Sequence, residues 1–116
     1  MKVTIYHNPR CSKSRDTLAL LAARGSKPQI IEYLKTPPDE ATLKRLLKAL
    51  GMTPRQLLRT KEAAYAELGL DNPKLTEDQL VRAMIAHPIL IERPIVVVDG
   101  RAALGRPPEN ILKILK

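Results

Sequence analysis

The hydrophobic period of this chain changes at Asn8-Pro9. Before that dipeptide, Val3, Ile5 and Tyr6 read as a short strand; after it, Leu18, Leu21 and Ala22 follow helical spacing. Gly25 ends the helix, and Pro28 through Tyr33, with Ile30 and Ile31, reads as a second strand. Two strands joined by one helix are predicted to be parallel, with a right-handed crossover. The opening of the chain is thereby committed to half of a small α/β sheet.

A helical stretch follows. Thr36-Pro37-Pro38-Asp39 starts a helix whose Leu43, Leu46, Leu47 and Leu50 share one face, and Gly51 ends it. Thr53-Pro54-Arg55-Gln56 is a capping box with proline at the first helical position. Lys61 to Leu68 reads as another helix, stopped at Gly69. Thr76-Glu77-Asp78-Gln79 is a second capping box, leading Leu80, Val81, Met84 and Ile85 to a stop before His87-Pro88. These apolar stripes are core faces. The sheet resumes at Pro94-Ile95-Val96-Val97-Val98, turns at Asp99-Gly100, which signals a type I′ hairpin, and returns along Arg101–Leu104. Pro107-Pro108 opens a last helix carrying Ile111, Leu112, Ile114 and Leu115. The order is βαβ, a helical insertion over about 37–88, then ββα. The expectation is one α/β domain over 1–116 with a thioredoxin-like mixed sheet.

With 116 residues the chain can bury roughly two-thirds of its unfolded surface without staples. Met1-Lys2 runs straight into the first strand, so no signal peptide is expected, and no apolar run approaches a membrane span. One cysteine excludes an intrachain disulfide and fits a reducing cytoplasm. The net charge of +8 invites nucleic acid, but there is no Phe or Trp, and the three tyrosines are scattered. No nucleic-acid partner is expected.

That one thiol, Cys11, closes the strand-to-helix turn His7-Asn8-Pro9-Arg10-Cys11-Ser12-Lys13-Ser14-Arg15. The start of a helix presents unpaired N–H groups and the positive end of the dipole, and Arg10, Lys13, Arg15 and His7 add charge of the same sign. Such settings lower a thiol pKa from about 8.5 into roughly the 3.5–7.5 range. A core cysteine acting as a small hydrophobe would not be ringed by basic and hydroxyl residues. Ser14 stands where a Cys-x-x-Cys motif would carry its resolving thiol, so any redox cycle of Cys11 needs an external thiol. Ser14 has two available roles, a hydrogen bond to the thiolate or the capping of a backbone donor. His7 either finishes the strand or assists the thiolate and its proton transfer.

Arg59, Arg93 and Arg106 each end an apolar run or precede a proline. Their planar forks suit a tetrahedral oxyanion, although each alone is also accounted for by a surface ion pair, Arg93 with Glu92 for instance. Cys11, His7 and His87 have no recognised metal-ligand spacing, so no metal is expected. No Gly-rich nucleotide loop is present.

Four ordered stretches carry a resemblance over nearly the whole chain: Tyr6–Arg15, Leu57-Leu58-Arg59, His87-Pro88-Ile89-Leu90 leading to Arg93-Pro94-Ile95-Val96-Val97, and Gly105-Arg106-Pro107-Pro108-Glu109. They resemble the glutaredoxin-coupled arsenate reductases, whose fold is thioredoxin-like with a helical insertion. The resemblance implies that Cys11 attacks arsenic(V) and that glutathione reduces the adduct. Glutaredoxin then releases the mixed disulfide, with arsenite leaving and no bound cofactor. It implies that Arg59, Arg93 and Arg106 bind the oxyanion and its transition state, that His7 favours the thiolate, and that Ser14 and Arg15 complete the cysteine loop. It further implies a cis Arg93–Pro94 bond. Ser12 and Lys13 depart from the best-characterised members, and Cys11-Ser12-Lys13-Ser14 looks closer to a separate sub-branch of the family. Two alternatives remain open: a glutathione-linked thiol oxidoreductase of another substrate, and an RNA polymerase-binding regulator of the broader family. Ser14 counts against the second, because such a regulator senses redox state through paired cysteines.

Overall fold

A computed structural model describes residues 2–115; Met1 and Lys116, the ends of the expected 1–116 domain, lie outside the described residues. The chain divides into two compact units, Met1–Thr36 with Arg93–Lys116, and Pro37–Glu92. The helical insertion thus runs past the expected end at 88.

In the first unit, β1 (Val3–His7) leads through α1 (Ser12–Ala23) to β2 (Gln29–Glu32). β3 (Ile95–Val98) and β4 (Arg101–Leu104) complete a four-stranded sheet in the order β2-β1-β3-β4. β1 pairs parallel with β2, Ile5 opposite Ile30, and antiparallel with β3, Ile5 opposite Val96. The β3–β4 hairpin turns at Asp99 and Gly100, both at positive φ (49° and 83°), as a type I′ turn requires. This is the expected thioredoxin-like mixed sheet.

Alternation along β1 turns Val3, Ile5 and His7 inward. Val3 and Ile5 join Leu21 of α1, Val96 and Val98 of β3, and Ile111 and Ile114 in one core. His7 stands on the same buried face, which explains why an imidazole at a strand end is almost wholly shielded. The segment carrying Ile111 and Ile114 departs from the expected α-helix: Pro108–Ile114 is a 3₁₀ helix. Pro107 and Pro108 have no amide to give, and Asn110 N–H closes onto Pro107 O in the tighter i to i−3 pattern.

The second unit holds α2 (Glu40–Leu50), α3 (Pro54–Leu57), α4 (Ala63–Glu67), α5 (Glu77–Ala86) and a 3₁₀ turn, Pro88–Leu90. Both expected capping boxes form: Thr53 with Gln56, and Thr76 with Gln79. Leu43, Leu47, Leu57, Leu80, Val81 and Met84 are buried. The helix expected over Lys61 to Leu68 is confined to α4. Among the described residues no helix is long and apolar enough to cross a membrane.

Arg93–Pro94 is cis, as expected, and Arg106–Pro107 is cis as well. Behind them, a Cβ built on Gly105 would lie 2.2 Å from Thr17 Oγ1 and 2.7 Å from Pro94 Cγ. Only glycine lets the backbone after β4 come this close to α1. Gly105→Ala should therefore cost about 1–3 kcal/mol of stability by overpacking, read from denaturant unfolding; an unchanged midpoint would show that the segment yields freely.

Candidate active site

Asn8 makes the turn that sets the site. Its Oδ1 accepts from Arg10 N–H at 3.0 Å, and its carbonyl accepts from Cys11 N–H at 3.0 Å. The chain reverses there, so that Cys11 is the N-cap residue of α1 with extended backbone (φ −91°, ψ 122°). The Cys11 side chain makes no capping hydrogen bond. As a thiolate it faces the amides of Ser14 and Lys13, which have no partner within the first turn of a helix.

Burial pushes the Cys11 thiol up. Against it act the Ser14 amide, the Arg93 guanidinium through a hydrogen bond and its charge, and the Lys13 amide; the balance lies below the ordinary thiol value. Arg93 is half-buried, with Nε and Nη1 shielded from water, so its charge is poorly screened. Arg106 is exposed, and its Nη1 lies 3.8 Å from Cys11 Sγ and 3.3 Å from the Arg93 carbonyl. The thiol therefore stands among two helix amides and two guanidiniums.

The local basic cluster acts differently from the expectation. Lys13 contributes its backbone amide, and Arg15 Nη1 donates to Pro9 O at 3.0 Å, clamping the cysteine loop from outside. His7 adds no charge. Burial holds it below the ordinary imidazole value, with Glu32, its register partner on β2, pulling up and Arg15 pushing down. His7 Nδ1 lies 2.6 Å from Ser14 Oγ, which also accepts from Asn8 N–H at 3.0 Å. With the imidazole neutral, we assign the Ser14 hydroxyl as donor to Nδ1 and the remaining proton to Nε2. Ser14 is fully buried, so of its two available roles the side chain takes the capping one and its own amide serves the thiolate.

Arg59 belongs to the helical unit. A bridge between Leu58 and Ile91, with Arg59 N–H donating to Leu90 O at 2.8 Å, sets the two segments side by side. Its guanidinium pairs with Glu92 and lies 3.8 Å from Glu62. Glu92 thus serves Arg59, a pairing that Glu92-Arg93 adjacency in the sequence conceals. Thr17, and its contact with Gly105, escaped the sequence reading. Thr17 Oγ1 donates to Lys13 O at 2.8 Å and touches Gly105 O at 3.3 Å, tying the first turn of α1 to the segment that carries Arg106. A glycine immediately before Arg106-Pro107 was the only signal. Among the described residues no group of three or more His, Cys, Asp or Glu could hold a metal.

A thiolate beside two cationic forks can both bind a tetrahedral oxyanion and attack it. Two measurements probe this geometry. Arg93→Ala removes a hydrogen bond and a charge from the sulfur, so the pH midpoint of Cys11 alkylation should rise; an unmoved midpoint would leave the helix amides alone responsible. For His7, whose folded value is lowered, the stability contribution is complete above the unfolded value of about 6.5 and is lost as pH falls through the folded value. The stability advantage of the wild type over His7→Gln should shrink as pH drops from about 7 toward 5, and a constant difference would contradict a shielded, neutral imidazole.

The chain is similar over nearly its whole length to known proteins. Residues 6–114 match the ArsC family. The chain is 55% identical to the protein YfgD of Escherichia coli K12, itself uncharacterised, over 98% of this chain and 97% of that one. It is 51% identical to an arsenate reductase of Neisseria meningitidis serogroup A, over 98% of each. The solved arsenate reductase of Vibrio cholerae superposes with a TM-score of 0.97 at 55% identity, covering 99% of this chain and 98% of the other.

Proposed function

The chain belongs to the ArsC family, and on that premise we propose that it is an enzyme that reduces arsenate to arsenite through the Cys11 thiolate. The observation that carries this reading is the lowered thiol, held by the Ser14 and Lys13 amides and Arg93, with Arg106 3.8 Å away. Full-length similarity to proteins named arsenate reductase supports the choice of oxyanion.

In this reading Arg93 and Arg106 bind the arsenate oxygens and spread their charge. The Cys11 thiolate attacks arsenic(V), forming an S–As bond, and one oxygen leaves as water after protonation. A glutathione thiolate then attacks Cys11 Sγ. The S–As electron pair passes to arsenic, which departs as arsenic(III), and Cys11 is left as a mixed disulfide with glutathione. The two electrons come from two thiols, Cys11 and glutathione. Because the chain has one cysteine, an external thiol of the glutaredoxin kind must clear the mixed disulfide. Ser14, His7 and Arg15 hold the loop on which this depends. Arg59 is assigned to oxyanion binding on the family resemblance. Glutathione enters as co-substrate and no bound cofactor is invoked; a reducing cytoplasmic setting suits such a cycle.

The test is NADPH consumption with glutathione, glutathione reductase and glutaredoxin, with and without arsenate. Arsenate-dependent turnover is expected in the wild type and should vanish in Cys11→Ser. Arg93→Ala should raise the arsenate KM and slow the chemistry, losing about 1.5–3 kcal/mol in kcat/KM. Absence of arsenate-dependent consumption would move the assignment to thiol exchange on another substrate.

A further inference from the structure

The net charge is divided unequally between the two units. Residues 1–36 with 93–116 contain twelve Lys and Arg against four Asp and Glu, a net +8, whereas 37–92 contains eight of each and nets zero. The whole formal charge of the protein therefore falls on the thiol-bearing unit. Part of it lies close to the nucleophile along the chain: Arg10, Lys13, Arg15 and Arg106 are exposed, and all but Arg106 belong to the cysteine loop and the first turn of α1. Acidic residues there are few, Asp16 on α1 and Glu109 after Pro108, both exposed.

A small oxyanion does not need this rim. Arg93 and Arg106 already face the sulfur, and the side chains of Arg10 and Lys13 take no part in holding the thiolate. What the lone thiol does need is an external thiol, because Ser14 leaves Cys11 no resolving cysteine, and a thiol protein is the kind of partner that a charged rim can recognise. Cys11 is itself only partly exposed, so the incoming thiol must be delivered to one face of the loop. Exposed cations on the loop that carries a partly covered sulfur suit a partner whose reactive cysteine is bordered by carboxylates.

We infer that the Arg10–Lys13 rim of the cysteine loop is the docking surface for an acidic thiol–disulfide protein that clears the Cys11 mixed disulfide. The inference rests on the proposed function for the mixed disulfide but not for arsenate. In the step concerned, the partner thiolate attacks the glutathione sulfur. A new S–S bond forms between partner and glutathione, the old one breaks, and its electron pair leaves on Cys11 as thiolate. The partner's thiol proton is lost to solvent beforehand.

The experiment uses the full chain loaded at Cys11 with glutathione from glutathione disulfide, so that no arsenate is present. Its reduction is followed with a dithiol glutaredoxin whose cysteine is flanked by acidic residues, and separately with uncharged dithiothreitol. The quantity read is the ratio of the two rates. It should fall about tenfold or more between low and high ionic strength. In the Arg10→Gln, Lys13→Gln double variant it should fall similarly at low salt and lose its salt dependence. A ratio insensitive to salt, or unchanged in the variant, would overturn the inference. So would an unchanged ratio together with salt-sensitive binding of a short DNA duplex that the variant loses, which would assign the rim to nucleic acid. Failure of the arsenate reading leaves this exchange untouched, so the two can fail separately.

Discussion

The site depends on where a helix is allowed to begin. Asn8 folds its side chain onto Arg10 N–H and its carbonyl onto Cys11 N–H, and α1 starts one residue later. Two amides that no helical carbonyl can reach then meet a sulfur in place of a serine or aspartate oxygen. A neutral thiol is a poor partner for them, whereas a thiolate is a good one. The same unpaired N–H groups that make a helix start costly thus become the reason for the sulfur to carry charge.

Everything else keeps that arrangement in place. Ser14 and His7 fill the space under the loop without adding charge, because the inward face of β1 shields the imidazole. Arg15 ties the loop from its exposed side through Pro9 O. Two cations come from the far end of the sequence. Arg93 stands at the entry to β3 and Arg106 beyond β4, and the antiparallel pairing of these strands returns both to the end of β1 from which the cysteine loop departs. The absence of a side chain at Gly105 lets that return come close against Thr17. The cations divide by position: Arg93 and neighbouring Arg106 face the sulfur, while Arg10 and Lys13 are exposed on the loop.

Much of this was legible in the residues. The period change at Asn8-Pro9 placed the turn, Asp99-Gly100 placed the hairpin, and both capping boxes formed where their spacing put them, because each is a local rule acting over four residues or fewer. Cys11 and the arginines were legible as types of chemistry. What escaped were contacts between distant segments and the division of labour among neighbours. His7 reads among the basic residues of the loop, and burial on β1 holds its imidazole below the ordinary value. Lys13 read as a charged side chain and acts through its amide. The α-helix expected after Pro107-Pro108 is a 3₁₀ segment. Thr17 with Gly105, and Arg59 with Glu92, join residues whose proximity no local pattern encodes.

The central claim is that the fold itself holds the Cys11 thiol below its ordinary value, through the helix amides and Arg93. Its most direct test is to titrate this only thiol by the ultraviolet absorbance of the thiolate, folded and again in denaturant. The account predicts a folded midpoint clearly below the unfolded one, which should lie near the free-thiol value of about 8.5. Coincident midpoints, or a folded midpoint above the unfolded one, would mean that burial of the sulfur outweighs the helix amides and Arg93, and would contradict the account.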